Sequence, residues 1–502
     1  MASFQKVALV SLPKQDLLRP PAALPILASI CESIDVDYTI NDFNLWLYKN
    51  LDQQTWQEID DNWMKFDSFK DTQTDFFQKF RLSLAEFTLI ILDQQPDIIA
   101  ISVFTQWSAH CAYELITEIK KQNFNIKILI GGSGIDTVLD QLTEHKELSD
   151  WLLENKLIDF YIHGEGEILF KNVLLGNTVG PGLNNHNFQQ IDDLNQFPYP
   201  SYKKINPSDY NYISVPTVMI NGSRGCVRHC TYCDVAKYWP KFRYKSGHNL
   251  ANEIYYTWKH TGIVMYEFSD SLINGSIREF KNMNTRLVEL KQQNKNFNIE
   301  YNGQFICRSA NQFKEQDYKI MKAAGCNYLY VGIETFSQKV RYDMDKKFDN
   351  DAVDFHFSMC AKYGIANVLL MIVGYPTELL KDHLLNLDGL RKYQHYAQAG
   401  IIEMITFGFT TSILSDTPLY LQKDALEIVP EFTDVTLDAN WISLKNPDLT
   451  FAERVRRWIE LTELANDLGY NQPRIDAIVK RFEQVLVATK LKRKVIQLRT
   501  IV

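Results

Sequence analysis

Three cysteines carry the most specific chemistry in this chain. Cys226, Cys230 and Cys233 stand in the run Cys226-Val227-Arg228-His229-Cys230-Thr231-Tyr232-Cys233, a C-x3-C-x2-C spacing. With 8 cysteines in 502 residues, chance supplies roughly 0.002 such triplets, so the spacing carries information. Three thiolates on one tight loop can hold three irons of a [4Fe–4S] cube and leave the fourth iron open to a substrate. A structural zinc site with His229 as fourth ligand is the competing reading. Zinc sites, however, pair two C-x2-C or H-x3-H halves across a spacer, and no second pair follows here. The approach to the loop is a hydrophobic strand, Thr217–Asn221, and then Gly222-Ser223-Arg224-Gly225. Glycines there let the chain fold back closely around a bulky ligand.

At these residues the sequence resembles the radical S-adenosylmethionine (SAM) superfamily. Its signature is C-x3-C-x-aromatic-C at the end of the first strand of a partial barrel, and Tyr232 supplies the aromatic. The resemblance implies a [4Fe–4S] cluster on Cys226, Cys230 and Cys233, with SAM chelating the open iron. One electron, from a donor such as flavodoxin or ferredoxin, then cleaves SAM to a 5′-deoxyadenosyl radical. The cofactors bring the hard chemistry, and the protein brings position and exclusion of water.

The elements that must position such a site follow from periodicity. Thr217–Asn221, Met265–Ser269, Ile299–Asn302, Tyr328–Ile333, Val368–Val373 and Ile402–Phe407 read as strands separated by helical patterns, one of them Asn311–Ala324 ending at Gly325. Six βα units make a partial TIM-like (β/α)6 barrel with its site at the carboxyl ends of the strands. Barrel position and the resemblance together place SAM against Tyr232, against Ser269 and Asp270 after the second strand, and against Gln304 and Arg308 after the third. Gly332 and Glu334 of the Gly332-Ile333-Glu334-Thr335 segment end the fourth strand, and Gly374 of Gly374-Tyr375-Pro376 follows the fifth. Arg308 is the candidate partner for the SAM carboxylate. Arg243 and Lys245 form a basic stretch that a surface role explains equally well. No catalytic acid or base is singled out.

Residues 1–185 alternate strand and helix. Lys6–Val10, Val36–Asn41, Ile98–Val103, Lys127–Ile130 and Phe160–His163 are short buried-strand patterns, and Cys111, Leu115, Ile116 and Ile119 share one helical face. This is an α/β pattern that predicts a Rossmann-like, flavodoxin-like parallel sheet with ligands beyond its carboxyl edge. Residues 45–90 read as a helical insertion. The ordered set Pro20–Pro25, Pro96–Ser102, Gly131-Gly132 and Gly164–Glu167 resembles the cobalamin-binding domain that precedes the barrel in many radical SAM enzymes. It implies cobalamin contacts at Ser102, Thr105, Gly131, Gly132, Gly164, Glu165 and Gly166. The Asp-x-His-x-x-Gly motif of cobalt-ligating domains is absent, so no lower histidine is expected. His110 and His163 read as ordinary polar residues.

The expected organisation is a cobalamin-binding-like domain over 1–185, a Pro- and Tyr-rich linker over 186–215, a radical SAM barrel over 216–407, and a mostly helical cap over 408–502. Within the cap, Arg454–Leu468 and Arg474–Lys492 read as helices. The basic end at Lys490, Lys492, Arg493 and Lys494 reads as a solvated helix terminus. The net charge of −8 argues against a nucleic-acid partner, and no apolar run reaches a membrane span. The start of the chain lacks a signal-peptide pattern. A cytoplasmic protein acting on a small-molecule or peptide substrate is expected. The leading function is methylation of an unactivated carbon with cobalamin as methyl carrier. The alternatives are radical cyclisation, oxidation or rearrangement, and, from another class, a non-catalytic cobalamin or cluster sensor. Methylthiotransfer needs three further N-terminal cysteines, whereas only Cys31 and Cys111 precede the triad.

Overall fold

The structure is a computed structural model that describes residues 3–13, 17–62, 75–139, 142–188, 190–210, 215–432 and 438–473. The chain divides into two compact units, Met1–Ile220 with Glu253–Met265, and Asn221–Asn252 with Tyr266–Val502.

In the first unit, β1 (Lys6–Ser11), α1 (Ala23–Ser33), β2 (Asp37–Asp42), α2 (Phe43–Asn50), α3 (Gln53–Asn62), α4 (Asp75–Asp93), β3 (Ile98–Ser102), α5 (Gln106–Gln122), β4 (Lys127–Gly131), α6 (Leu148–Glu154), β5 (Phe160–Ile162) and α7 (Glu167–Leu174) follow in order. The sheet is parallel with strand order β2-β1-β3-β4-β5, the flavodoxin-like order. The strands have no polar face because both faces are covered. Ala8 and Val10 enter one apolar layer, while Val7 and Leu9 enter the other. The expected helical insertion is α2 to α4. Phe43, Trp56, Phe77, Phe80 and Phe87 thicken the layer that also holds α5.

At the end of Met1–Ile220, β6 (Thr217–Ile220) leads on into a short hairpin of β7 (Ser223–Arg224) and β8 (Arg243–Tyr244), with α8 (Val235–Tyr238) between them. There follow α9 (Gly247–Thr261), β9 (Met265–Phe268), α10 (Ile277–Gln293), β10 (Glu300–Phe305), α11 (Glu315–Ala324), β11 (Cys326–Glu334), α12 (Gln338–Asp343), α13 (Asn350–Tyr363), β12 (Ala366–Ile372), α14 (Leu380–Gln398) and β13 (Ile402–Gly408). The six-stranded sheet runs β13-β12-β11-β10-β9-β6, which is strict sequence order reversed and the mark of a partial βα barrel. Period-2 alternation sorts β10. Tyr301 and Phe305 pack outward on rings and helices, so Asn302 and Gln304 face the other way.

Two details differ from the sequence reading. Helix α11 starts at Glu315, because the Asp317 carboxylate accepts from the Lys314 N–H and closes a capping turn there. The region after β13 is mixed: α15 (Pro418–Leu421) and the hairpin of β14 (Ile428–Val429) and β15 (Ile442–Ser443) precede α16 (Phe451–Asp467). The helix expected over 474–492, with its basic end, lies outside the described residues.

Candidate active site at the cysteine loop

The cysteine loop leaves β6 and is anchored at both ends. Asp270, just past β9, accepts from the Gly222 N–H at 2.9 Å and from the Ser223 hydroxyl. Burial pushes its carboxyl up to about 6 against those hydrogen bonds. Asp270 therefore holds the approach to Cys226. Ser269 beside it accepts from the Asn221 side chain at 3.3 Å. Gly225 sits at φ +81°, where a Cβ would meet the Lys241 carbonyl at 2.8 Å. Its freedom therefore serves close packing of the chain on itself. At the other end Thr231 is the anchor. Its N–H donates to the Met344 carbonyl, its carbonyl accepts from the Leu419 N–H, and its hydroxyl lies 2.7 Å from that of buried Tyr375.

Cys230 is buried, while Cys226 and Cys233 are partly open. Burial pushes the Cys230 thiol up to about 11, with Lys346 pulling the other way, and burial raises Cys233 as well. Thiolates must therefore be won by binding metal, with release of protons. Among the described residues, the groups close enough to share one ion do not include these cysteines, and His229 is exposed. A single zinc is poorly served, whereas a cube spreads its sulfurs wider.

A buried ion pair lies next to the loop. Lys346 Nζ is 2.7 Å from Glu334 Oε1, both side chains being 9% exposed, and 3.4 Å from the Tyr232 hydroxyl. Burial opposes the Lys346 charge, but Glu334 and Cys230 outweigh it and hold the ammonium above its ordinary range. Glu334 adopts φ +63° at the end of β11, where the pairing with β12 slips between Gly332 and Glu334. Gly332 leaves the room the pair needs, because a Cβ there would lie 2.4 Å from Glu334 Oε1 and 2.8 Å from Lys346 Nζ.

Arg308 is buried, donates through Nη2 to the Asn274 carbonyl at 2.9 Å, and keeps Nε without a partner among the described residues. Burial and then nearby Arg228 lower its guanidinium to about 10, with Cys226 opposing both. Arg228 Nε is likewise unsatisfied. Two guanidiniums beside Cys226 with donors to spare suit an incoming carboxylate. The Gln304 carbonyl accepts from the Ile273 N–H. Gly374 sits at φ +72° against the aliphatic stem of Arg454, and its N–H donates to Glu378, which is ion-paired with buried Arg457. Arg243 is buried in the β7–β8 hairpin beside Trp239. Tyr232, Asp270, Arg308, Gly332 and Glu334 thus surround or support one loop, whereas Gly374 answers to the packing of α16. Sequence reading missed Lys346 and Thr231. Lys346 stands in Asp345-Lys346-Lys347, which looks like a solvated turn, and no periodic signal marks Thr231.

At the strand ends of the first unit, three of the expected contact residues have structural tasks. Thr105 caps α5 by accepting from the Ser108 N–H. A Cβ on Gly132, at φ +111°, would meet the Val103 carbonyl at 2.5 Å. Glu165 is buried and accepts from the Ile191 N–H at 2.7 Å. Ser102, Gly131, Gly164 and Gly166 remain at the carboxyl edge beside Phe104, which is 61% exposed. His163 bonds Asp136 at 3.1 Å, and His110 is buried on α5.

The profile of the Radical SAM superfamily matches residues 220–387. An uncharacterised methyltransferase of Pyrococcus horikoshii is 24% identical over 316 residues, 60% of this chain and 65% of that protein. A protein of Methanocaldococcus jannaschii named as a methylthiotransferase is 26% identical over 47% of this chain and 54% of its own length. The matches thus span less than two thirds of these curated relatives. Among solved structures, the radical SAM methyltransferase TsrM of Kitasatospora setae, with tryptophan and a SAM analogue bound, superposes with TM-score 0.62 at 16% identity, over 90% of this chain and 83% of that one. The cobalamin-dependent SAM radical enzyme OxsB, with aqua-cobalamin and SAM bound, gives 0.63 at 13% identity, over 98% and 72%. Residues 220–387 thus match the Radical SAM superfamily, and the chain shares its fold with TsrM and OxsB.

Proposed function

We propose that this protein is a cobalamin-dependent radical SAM methyltransferase acting at an unactivated carbon. The observation that carries the reading is the cysteine loop itself. Three thiols, a buried Lys346–Glu334 pair and two underused arginines converge at the carboxyl ends of β6, β9, β10 and β11. Cys226, Cys230 and Cys233 hold the cluster. Arg308, with Arg228, receives the SAM carboxylate. Lys346 keeps positive charge beside the thiolates, and Glu334 positions Lys346 and Tyr232. Bound there, the cluster and SAM supply the carbon radical chemistry, and cobalamin supplies the methyl group. The flavodoxin-like strand order supports cobalamin at Ser102, Gly131, Gly164 and Gly166 of the first unit. Thr105, Gly132 and Glu165 shape those loops from behind.

Methylthiotransfer, the activity in the name of one relative, is not favoured. Cys31 and Cys111 lie in different apolar layers, each fully buried, and they cannot share a second cluster. A one-electron donor and a small-molecule or peptide substrate complete the proposal. Among the described residues no helix is long and apolar enough to cross a membrane.

Anaerobic reconstitution tests the reading. The chain should hold about four irons and retain hydroxocobalamin through desalting. With substrate it should form S-adenosylhomocysteine and 5′-deoxyadenosine in equal amounts. Replacing the three cysteines by Ala should abolish iron and SAM cleavage together. Loss of all cobalamin on desalting would remove the methyl carrier from the proposal. Stoichiometric zinc on the cysteines without iron would remove the cluster.

A further inference from the structure

The first unit gathers five metal-ligating side chains that the proposed reaction does not use. Asp136 ends the short turn Ser133–Asp136 that follows β4. Glu147 caps α6, and Asp150 lies in its first turn. His163 is the first residue after β5, and His186 arrives on the strap 180–188. Each backbone is pinned independently. Leu148 N–H donates to the Thr137 carbonyl, Val138 and Glu147 form a bridge, and His163 N–H donates to the Gly182 carbonyl. Asn184 clasps Tyr161 from both sides, through its N–H to the Tyr161 carbonyl and its side-chain oxygen to the Tyr161 N–H. The five side chains are thus delivered by rigid elements and not by one flexible loop.

Their ligand atoms converge. Those of Asp136, His163 and His186 lie within 4.8 Å of one another, as do those of Glu147, Asp150 and His186. His163 Nε2 is 3.1 Å from Asp136 Oδ2. Neighbouring ligands around a tetrahedral zinc stand roughly 3.3 Å apart, given bonds of about 2.0–2.1 Å. The two nitrogens of His186 are flanked by Asp150 Oδ2 at 2.9 Å and Glu147 Oε2 at 3.4 Å. Three carboxylates crowd two imidazoles. The Glu147 carboxyl is pushed above its ordinary range, first by burial and then by Asp136, with His186 opposing. A second, independent observation points the same way. His163 Nδ1 and Asp136 Oδ1, on two of the converging residues, are buried with no hydrogen-bond partner among the described residues. Such orphaned acceptors are costly unless something else satisfies them. Lys146, which also senses Asp150, is paired with Glu154 and does not neutralise the group.

We propose that Asp136, His163 and His186 bind one divalent transition-metal ion, with zinc the representative, and that Glu147 and Asp150 hold His186 in place. Imidazole with carboxylate is a donor set for zinc, iron or nickel rather than for calcium or magnesium. With one nitrogen of His186 on the metal, a carboxylate accepts the proton of the other, which is how metal-bound histidines are commonly oriented. The site is open on the His186 side, where that ring is 44% exposed, so an ion can enter. It joins the strap 180–188 to β4, β5 and α6. It is separate from the cysteine loop in sequence and in chemistry, and it does not depend on cobalamin being bound.

The test uses the full chain with its cluster in place. Incubated anaerobically with a small excess of zinc sulfate and then desalted, it should keep about one zinc per chain with its iron unchanged. His186→Ala and His163→Gln should each weaken zinc retention by at least about 100-fold, more than loss of an outer-shell partner does. Their iron content and their thermal midpoint without zinc should match the parent. The Cys226→Ala/Cys230→Ala/Cys233→Ala variant should keep its zinc. Absence of retained zinc in the parent overturns the proposal. So does zinc retained by both histidine variants, or zinc that appears only as iron is lost or disappears with the cysteines.

Discussion

Replacing Glu334 separates two things the structure asks of that residue. Its carboxylate neutralises buried Lys346, and its backbone occupies φ +63°, a region that costs a residue with a Cβ about 1–3 kcal/mol. Removing one partner of a buried pair costs about 3–5 kcal/mol, because the other charge stays buried alone. Glu334→Ala keeps the backbone strain and loses the pair, so it should fall in that range. Glu334→Gly loses the pair but relieves the strain, so it should lie about 1 kcal/mol above the Ala variant. Glu334→Gln keeps an acceptor for Lys346 Nζ and should be the mildest of the three. Denaturation followed by bleaching of the cluster reads the second unit directly. SAM affinity, measured by equilibrium dialysis on cluster-loaded protein, should fall in all three while iron content stays at the parental value. The reasoning is refuted if SAM binds the Ala variant as tightly as the parent, since Glu334 would then be a packing residue alone. It is also refuted if Gly is no better than Ala, since the φ value would then store no strain.

Arg308→Gln should weaken SAM binding by about 10–100-fold, the worth of one charged hydrogen bond, with iron unchanged; parental affinity would reassign the carboxylate contact. Gly374→Ala should cost about 2–4 kcal/mol, because the added Cβ needs φ +72° and would stand 2.5 Å from Arg454 Cγ; a chemical-denaturation midpoint equal to the parent's would contradict the packing. His356 is buried between Tyr318 and Asn367, and burial lowers its imidazole from 6.5 to about 4, with the Asn367 hydrogen bond opposing. The unfolded state therefore binds more protons between those values. Stability should be complete above pH 6.5 and fall by roughly 3 kcal/mol as pH drops toward 4. His356→Gln should flatten that part of the stability–pH curve by about one proton, and an unchanged slope would place the titration elsewhere.

The fold was legible because its strands announce themselves in composition. Runs such as Val7–Val10 and Ile98–Ile101 have no polar alternation, and only a sheet covered on both faces tolerates that. The cysteine spacing likewise survives in sequence because a loop around a cube must be local. What was not legible depends on register. Asp270, read as a SAM contact at a strand end, is also the strut under Gly222 and Ser223. Thr105 and Glu165, read as ligand contacts, also serve a helix cap and a strap. A polar residue at a strand end has two customers, the ligand and the returning chain, and sequence alone does not say which is nearer.

Lys346 shows why the electrostatic half of a site escapes sequence reading. Cys230 and Cys233 would ionise reluctantly on their own, because burial raises both thiols. The lysine that counters them comes from more than a hundred residues away, on the turn after α12. It is carried there by Val340, Met344 and Tyr375, whose apolar cluster also packs Tyr232. The same cluster receives Thr231 through the Tyr375 hydroxyl and the Met344 carbonyl. The cysteine loop and its counter-charge are therefore seated on one patch of hydrophobic core. A change that loosens that patch moves both together, so core substitutions at Met344 or Tyr375 belong with the active site although neither side chain offers it a ligand.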